Sequence, residues 1–584
     1  MKVWSFSICV LITGGGLVNA TFCRCQPDQP CWPTEANWAA LNSSIEGNLV
    51  AVKPFAYPCH DTEFNAAKCT IVKDNAYNSS YRSSQPSALQ WENWEAWPKE
   101  DEQCYIESPM SIPCKQGRVS LYSAKVQTAK HVQKAVEFAA RHNIKLVIRN
   151  TGHDFLGRSS APNSLQIFTH NFKNISIIDE FVPTVPSGMS APGGIKAVTL
   201  GAGVQLHEMY SFLASKGVMV VGGSANTVGV AGGYVQGGGH SFLGWLHGMA
   251  SDNALEFQVV LANGSLIFAN PYQNTDIFFA LRGGGGGSFG VVVSVTVKAY
   301  PNYPVVYATV NYTTSVNGPF WKGSDAFHKH IVYLNDNGGS GYYVMIPITL
   351  VPNSQSLSTF VLFLAFVNQT STDAVGKLLS PLRSDLRKAT GYEPSLNVVS
   401  FPSLSGLYTT LFRGNDTTGM QARMGSRLVS RSFFESANST QLTEAVSSLK
   451  FRPGDAVIGC IVAGGQVAKN RDIESGLNPA WRDTMVHLMI TRLMSPNMTF
   501  DEQAAIAANI TDQEVPLLES LESGKMGAYL NEADADEPDF QQKFWGTNYP
   551  RLRAIKASRD PHDLFIVRKG VGSEDWDSDG LCRV

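Results

Sequence analysis

Eight glycines fall between positions 222 and 239, in GGSANTVGVAGGYVQGGG. Bare backbone over so short a stretch constrains this chain more than any other feature. Gly222-Gly223, Gly229, Gly232-Gly233 and Gly237-Gly238-Gly239 leave amide N–H groups unshielded, which suits a nest of donors around an anionic group such as a pyrophosphate. Bulges and tight turns in a β-rich domain are the alternative use of the same residues. A second cluster, Gly285-Gly286-Gly287-Ser288-Phe289-Gly290, matches both GxGxxG and GxSxG. Each spacing works only where a strand enters the turn and a helix leaves it. Here Val291–Val297 follows, a β-branched run that reads as a strand. Neither a dinucleotide fold nor a serine hydrolase is expected there.

At 584 residues the chain predicts two to four domains. Its 43% hydrophobic and 10% aromatic content can bury large cores. A formal net charge of −3, with no basic run, argues against nucleic acid as a partner. Charged residues make up only 16% of the chain, so something besides surface charge must keep it soluble.

Export supplies that something. Residues 1–20 read as a signal peptide, with Lys2 ahead of an apolar stretch from Ser7 to Val18 and small residues at Val18-Asn19-Ala20. The stretch is too short, and too interrupted by Gly14-Gly15-Gly16, to span a membrane, and no later segment approaches the ~20 apolar residues that a spanning helix needs. Ten Asn-x-Ser/Thr sequons agree, at Asn42, Asn78, Asn174, Asn263, Asn311, Asn368, Asn415, Asn438, Asn497 and Asn509. Cysteine placement agrees as well. Cys23, Cys25, Cys31, Cys59, Cys69, Cys104 and Cys114 crowd the start of the mature chain, and only Cys460 and Cys582 lie beyond. With no zinc spacing present, a disulfide-stapled N-terminal region is expected. Cys59–Cys69 and Cys104–Cys114 are short-loop candidates. The odd count leaves one thiol, and Cys460 in apolar surroundings is the expected buried one.

Residues from Thr21 to Pro113 show little periodicity and predict an extended wrapping layer. Thr128–His142 carries Val132, Ala135, Val136, Ala139 and Ala140 at helical spacing, with Asn143 as a stop. Ile144–Arg149 predicts a buried strand that delivers the chain into Asn150-Thr151-Gly152-His153-Asp154. Leu255–Leu261 and Leu266–Ala269 predict a hairpin closed by a type I′ turn at Asn263-Gly264. From Pro304 to Gly527, strands (Tyr342–Leu350, Phe360–Val367) mix with helices in a second large domain.

Four segments carry a resemblance: IRNTGHDFLGRS at Ile148–Ser159, TVGVAGGYVQGGGH at Thr227–His240, GMASDNALEFQVVLANG at Gly248–Gly264, and FWGTNYPRLRAIKASRDPHDLF at Phe544–Phe565. Together they resemble the berberine-bridge-enzyme-like branch of the vanillyl-alcohol-oxidase flavoprotein superfamily, and the Cys-rich start is similar to that of its secreted fungal members. The resemblance implies an α+β fold: a PCMH-type FAD-binding domain of two subdomains (116–302), an α/β cap domain that takes the substrate (303–530), a stapled N-terminal extension (21–115) and a C-terminal segment (531–584) that returns to the FAD domain. It implies FAD attached through an 8α-methyl–imidazole bond to His153. Replacing a C–H bond there by a ring nitrogen makes the flavin a stronger hydride acceptor. Bicovalent relatives add a cysteine where this chain has Ala225, so attachment through His153 alone is expected. Val230 resembles a small gate that admits dioxygen, which favours an oxidase. Thr151, Gly152, Asp154 and Ser159 are expected in the phosphate loop; Gly229, Gly232, Gly233 and Gly239 beside the pyrophosphate or flavin; Gly290 and Val291 near the adenine; and Asn548 on the flavin.

The substrate side is read from two residues. Tyr529 stands where relatives put an active-site tyrosine, and is a candidate base or a core residue of the cap. His240 could approach the flavin edge or serve structurally. Asn478–Arg482 and His487 receive no role, and the acidic run Glu532–Asp539 reads as a solvated loop. The activity expected is hydride transfer from a small secondary-metabolite alcohol or amine to FAD and then to dioxygen, giving hydrogen peroxide. An oligosaccharide oxidase and a non-catalytic secreted binding glycoprotein are the alternatives.

Overall fold

The computed structural model describes residues 22–584 apart from 317, 353–354, 413–415, 437–438 and 525. The signal peptide expectation lies outside the described residues. Thr128 caps the helix Ala129–His142 by accepting from His131 N–H, and Asn143 ends it in the left-handed conformation (φ 49°). Val132, Ala135, Val136 and Ala139 bury its inner face. The strand Lys145–Arg149 then runs parallel to Ser164–Phe168, which lies parallel to Tyr122–Ala124. The fourth strand of this sheet is Leu49–Ala51, paired antiparallel with Tyr122–Ala124.

The N-terminal region is therefore more than an extended wrapping layer. It contributes a strand to the first sheet and forms the helices Glu35–Ser44, Ala66–Asp74 and Ser79–Ser84. Trp38 stacks on Tyr122 with ring centroids 4.0 Å apart, joining the first helix to the sheet. The periodicity is weak because each of these helices is short.

A second, antiparallel sheet orders Ile175–Phe181, Ile195–Gly201, Val291–Lys298, Ala254–Val260 and Leu266–Ala269. The expected hairpin closes differently from a type I′ turn. Gly264 N–H donates to Leu261 C=O at 2.9 Å, and Gly264 (φ +79°), not Asn263, takes the left-handed conformation. This arrangement matches a longer loop with a bulge. Gly290 leads directly into Val291–Lys298, and a Cβ there would lie 2.7 Å from Val260 O. Ser288 thus precedes a strand, and the two rejected motifs lack their helix.

The cap is a seven-stranded antiparallel sheet in the order Ser395–Phe401, Val305–Ser315, Leu357–Val367, Gly339–Thr349, Ala456–Ile461, Thr484–Met494, Gln421–Ser430. Tyr343, Met345 and Phe360 point to a core shared with the helices Phe320–His328 and Thr372–Thr390. Period-two alternation sends their neighbours to the opposite face. Tyr342, Cys460 and His487 are successive cross-strand partners and form a row there.

The protein is α+β, with four disulfides among the described residues. Cys59–Cys69 and Cys104–Cys114 form as expected, and Cys460 is, among the described residues, the buried free thiol. Cys25 pairs with Cys31, and Cys23 crosses the whole chain to Cys582. The C-terminal segment is thereby fastened to the N-terminus, and Lys145 Nζ reinforces it by donating to Ile566 C=O at 2.6 Å.

Candidate active site

Between the two subdomains and the cap lies a cavity of about 720 Å³. Three side chains of the N-terminal region shape its entry loop. Gln90 Nε2 donates to Thr151 C=O (3.1 Å), Trp91 Nε1 to His153 C=O (3.2 Å) and Trp94 Nε1 to Phe155 C=O (2.9 Å). Asp154 turns back on its own loop, accepting from Arg158 N–H at 2.6 Å and Arg158 Nε at 2.7 Å. Its carboxylate organises the loop by taking two of the loop's own backbone donors, Leu156 N–H and Arg158 N–H. The two glycine clusters meet where Gly283 and Gly285 N–H donate to Gln236 C=O, each at 2.9 Å.

Thr151, Gly152, His153, Asp154, Ser159, Gly229, Gly232, Gly233, Gly290, His240 and Tyr529 all border the cavity. Four other expected residues stand elsewhere. Val230 is buried in the core behind the wall. Gly239 is one layer back, its N–H donating to Tyr529 Oη at 3.2 Å, and Val291 is engaged in the sheet with Val260. Asn548 lies in a different cleft, its Nδ2 donating to Ser475 C=O (3.1 Å) and Leu477 C=O (2.7 Å). The returning segment reaches the cavity instead through Asn531. Its Nδ2 donates to Gly233 C=O and Tyr529 Oη at 2.8 Å each, and Arg158 donates to its Oδ1 at 3.0 Å.

The acidic run is not a solvated loop. Asp534 and Glu537 are buried, the latter paired with Arg427 at 2.7 Å. Glu532 borders the cavity, and its Oε2 accepts from Nε2 of His240 at 3.1 Å and of His487 at 2.9 Å. Burial pushes the Glu532 carboxyl up, but the two imidazoles outweigh it and hold the group well below the usual carboxylate range. Burial keeps His487 neutral by lowering its pKa. Tyr529 is raised by burial and by the nearby Glu532 charge, so its hydroxyl keeps its proton. His153 is lowered by burial against the opposing pull of Asp416.

Glu532, Asn531, His487 and Asp416 escaped the sequence reading. The first two sit within three residues of Tyr529, and that adjacency was the available signal. No local pattern marks the other two.

Two segments match family models: FAD binding domain over residues 121–270, and berberine and berberine like over residues 528–572. An FAD-linked oxidoreductase of Arthroderma benhamiae is 48% identical over 573 residues, 96% of each chain. This chain belongs to the FAD-linked oxidoreductases. The oxidoreductase malF of Malbranchea aurantiaca is 38% identical, with 97% of this oxidoreductase and 94% of the relative covered. The flavin-dependent oxygenase ucdF of Aspergillus ustus is 40% identical, covering 94% and 98%. Among solved structures, the VAO-type flavoprotein MtVAO615 of Myceliophthora thermophila C1 is 30% identical and superimposes with a TM-score of 0.84, covering 96% of this chain and all of that one (100%). A glucooligosaccharide oxidase of Acremonium strictum, 19% identical with a TM-score of 0.62 over 88% and 99% of the two chains, shares the fold.

The cavity of this oxidoreductase fits FAD. A Cβ built on Gly233 meets nothing nearer than Asn531 Oδ1 at 3.9 Å, so that wall is open backbone, and Gly286 faces it with a Cβ position 3.1 Å from Gly233 Cα. Asn150 Oδ1, on the same wall, is buried without a hydrogen-bond partner among the described residues.

Proposed function

We propose that this oxidoreductase is a secreted oxidase that carries FAD through His153 alone and takes hydride from a small secondary-metabolite alcohol or amine, with dioxygen as the final acceptor and hydrogen peroxide as the product. The observation that carries this reading is the Glu532-held His240 beside Tyr529 in the cavity. FAD, when bound, supplies the two-electron acceptor. His240 donates through Nε2 to the Glu532 carboxylate, so its other nitrogen, Nδ1, carries the lone pair. Nδ1 has only a long contact, 3.5 Å, to Tyr342 Oη, which leaves it able to accept the proton of a substrate hydroxyl or amine. Tyr529 keeps its proton and accepts from Gly239 N–H and Asn531 Nδ2. It thus acts as a donor that orients the substrate heteroatom, and His240 serves as the base.

Attachment at one point is supported by Ala225, which borders the cavity where a second anchor would stand. Aromatic and aliphatic side chains at Trp91, Phe155, Leu411, Phe412 and Ile458 suit an apolar metabolite better than a sugar chain. Oligosaccharide oxidases with the same fold keep the carbohydrate reading as the alternative. Export is supported by the four disulfides. It is also supported by the sequons: Asn174, Asn263, Asn368, Asn497 and Asn509 are exposed, while Asn42, Asn78 and Asn311 are half-buried. Asn415 and Asn438 lie outside the described residues.

The test is acid precipitation of the purified protein followed by a substrate screen read by peroxide release. Yellow colour that stays in the pellet and is lost in His153→Ala supports the attachment, and flavin released to the supernatant rejects it. Peroxide release from an alcohol or amine that His240→Ala abolishes supports the base; undiminished turnover in that variant rejects it.

A further inference from the structure

His153 reaches into the cavity with one nitrogen already committed. Nε2 lies 2.6 Å from Thr227 Oγ1. Thr227 Oγ1 in turn lies 2.5 Å from Asp416 Oδ2, and the imidazole and carboxylate are 3.8 Å apart. Asp416 is already an acceptor on both oxygens: Asn226 N–H donates to Oδ1 and Thr227 N–H to Oδ2, each at 2.7 Å. The proton between Thr227 and Asp416 is therefore the threonine's own, since the carboxylate oxygens face donors. With its hydroxyl donated to Asp416, Thr227 Oγ1 can only accept from the histidine. This fixes the His153 tautomer as Nε2–H and leaves the lone pair on Nδ1, which no described residue hydrogen-bonds.

We infer that Asp416 and Thr227 are positioning residues for covalent attachment of the flavin: they hold His153 as the Nε2–H tautomer, so that Nδ1 is the nitrogen that bonds the flavin's 8α carbon. The inference rests on the proposed attachment at His153. The Nδ1–C bond forms as a C–H bond of the 8-methyl group breaks. The methyl hydrogen and the Nε2 hydrogen leave as two protons, the latter by way of Thr227 toward Asp416. The two electrons pass to dioxygen, which with two protons becomes hydrogen peroxide, and the attached flavin is left oxidised.

The relay also spans two domains. Asp416 belongs to the segment between the cap helix Leu404–Leu411 and the cap strand Gln421–Ser430, whereas Thr227 and His153 belong to the FAD domain. Asn226 Nδ2 donates to Phe412 C=O of the cap, and Asp416 N–H donates to Ser79 Oγ at 3.1 Å. The tautomer is set only when the cap is seated, which ties attachment to the completed fold.

The experiment uses the full chain, purified from cells and incubated with added FAD in air. Covalent flavin is followed as colour retained in acid pellets and as a mass increase on the peptide containing His153. His153→Ala should bind FAD but retain none in the pellet; covalent flavin in that variant would overturn the attachment reading itself. Thr227→Val removes the relay and leaves Asp416 its two backbone donors. Asp416→Asn puts an amide donor against those backbone N–H groups. Both variants should attach FAD at least tenfold more slowly than the wild type, with Thr227→Ser restoring the wild-type rate. Wild-type rates in Thr227→Val, with His153→Ala still devoid of covalent flavin, would overturn the relay and leave the attachment standing. A Thr227→Ser variant as slow as Thr227→Val would also overturn it, because the hydroxyl would then not be what matters.

Discussion

Glu532 Oε2 lies 2.9 Å from Nε2 of His487, a fully buried imidazole on the cap sheet. The returning segment is thereby joined to the cap at the same carboxylate oxygen that holds His240 from the FAD domain. One acidic side chain thus gathers three parts of the chain at the edge of the cavity. Its negative charge is stabilised by two N–H donors, and the same two bonds set both imidazole tautomers.

Replacing Glu532 by Gln should therefore act on chemistry more than on substrate binding. An amide oxygen in the same place can still accept from both imidazoles, but the negative charge that would stabilise His240 as it takes up a proton is gone. The rate of flavin reduction by substrate, measured without oxygen by stopped flow, should fall by roughly 10²-fold or more, the usual worth of a positioned base. An unchanged rate would remove Glu532 and His240 from the reaction.

The open wall at Gly233 predicts a variant that folds but loses its flavin. Gly233→Val adds methyl groups to space that no described residue occupies. The thermal midpoint of the flavin-free protein should stay near that of the wild type, while the flavin-to-protein absorbance ratio drops severalfold. Full flavin content in Gly233→Val would place the cofactor against another wall.

Ser288 supplies a control. Its carbonyl accepts from Lys556 Nζ at 2.8 Å, the residue itself is buried, and a strand follows it where a nucleophile would need a helix. Ser288→Ala should leave oxidase turnover at the wild-type level and confer no loss of any ester hydrolysis. A loss of hydrolysis would reopen the serine-nucleophile reading.

The Cys23–Cys582 bridge closes a loop of nearly the whole chain, with a separation of 559 residues. Replacing both cysteines by Ser should lower unfolding stability by about 2–4 kcal/mol, the common range for a disulfide that restrains the unfolded chain. Denaturant titration measures it, and proteolysis should trim the end of the chain first.

Acid should weaken the cap through His328. This fully buried imidazole is held to about 4, chiefly by burial. Its Nδ1 contacts Thr443 Oγ1 at 2.7 Å, and Nε2 has no partner among the described residues. A histidine that is neutral when folded but protonates near its ordinary value when unfolded contributes stability above about pH 6.5, and that contribution is lost as pH falls toward 4. The contribution is roughly 3–4 kcal/mol at most, because each tenfold loss of proton affinity on folding is worth about 1.4 kcal/mol. His328→Asn should flatten the thermal midpoint between pH 6.5 and 4 relative to the wild type. Parallel profiles would show that His328 does not titrate in this window.

Much of the scaffold was legible because it follows from neighbours in the chain. Thr128, the apolar spacing and Asn143 bound one helix, the β-branched run after Gly290 had to be a strand, and closely spaced cysteines paired with each other. The loop holding His153 and most of the glycines picked out with it do border the cavity, so that part of its wall was legible in the order of amino acids. The other half was not. Glu532 looked like one member of a hydrophilic acidic run, and only folding brings it to His240, 292 positions away, and to His487. Asp416 meets Thr227 across 189 positions and a domain boundary, and Cys23 finds Cys582 only because the chain ends are packed together. Capping and periodicity are short-range forces that residue order encodes directly. A carboxylate's burial, its donors and its charge state belong to whatever the fold places against it, and here the tertiary structure decided them.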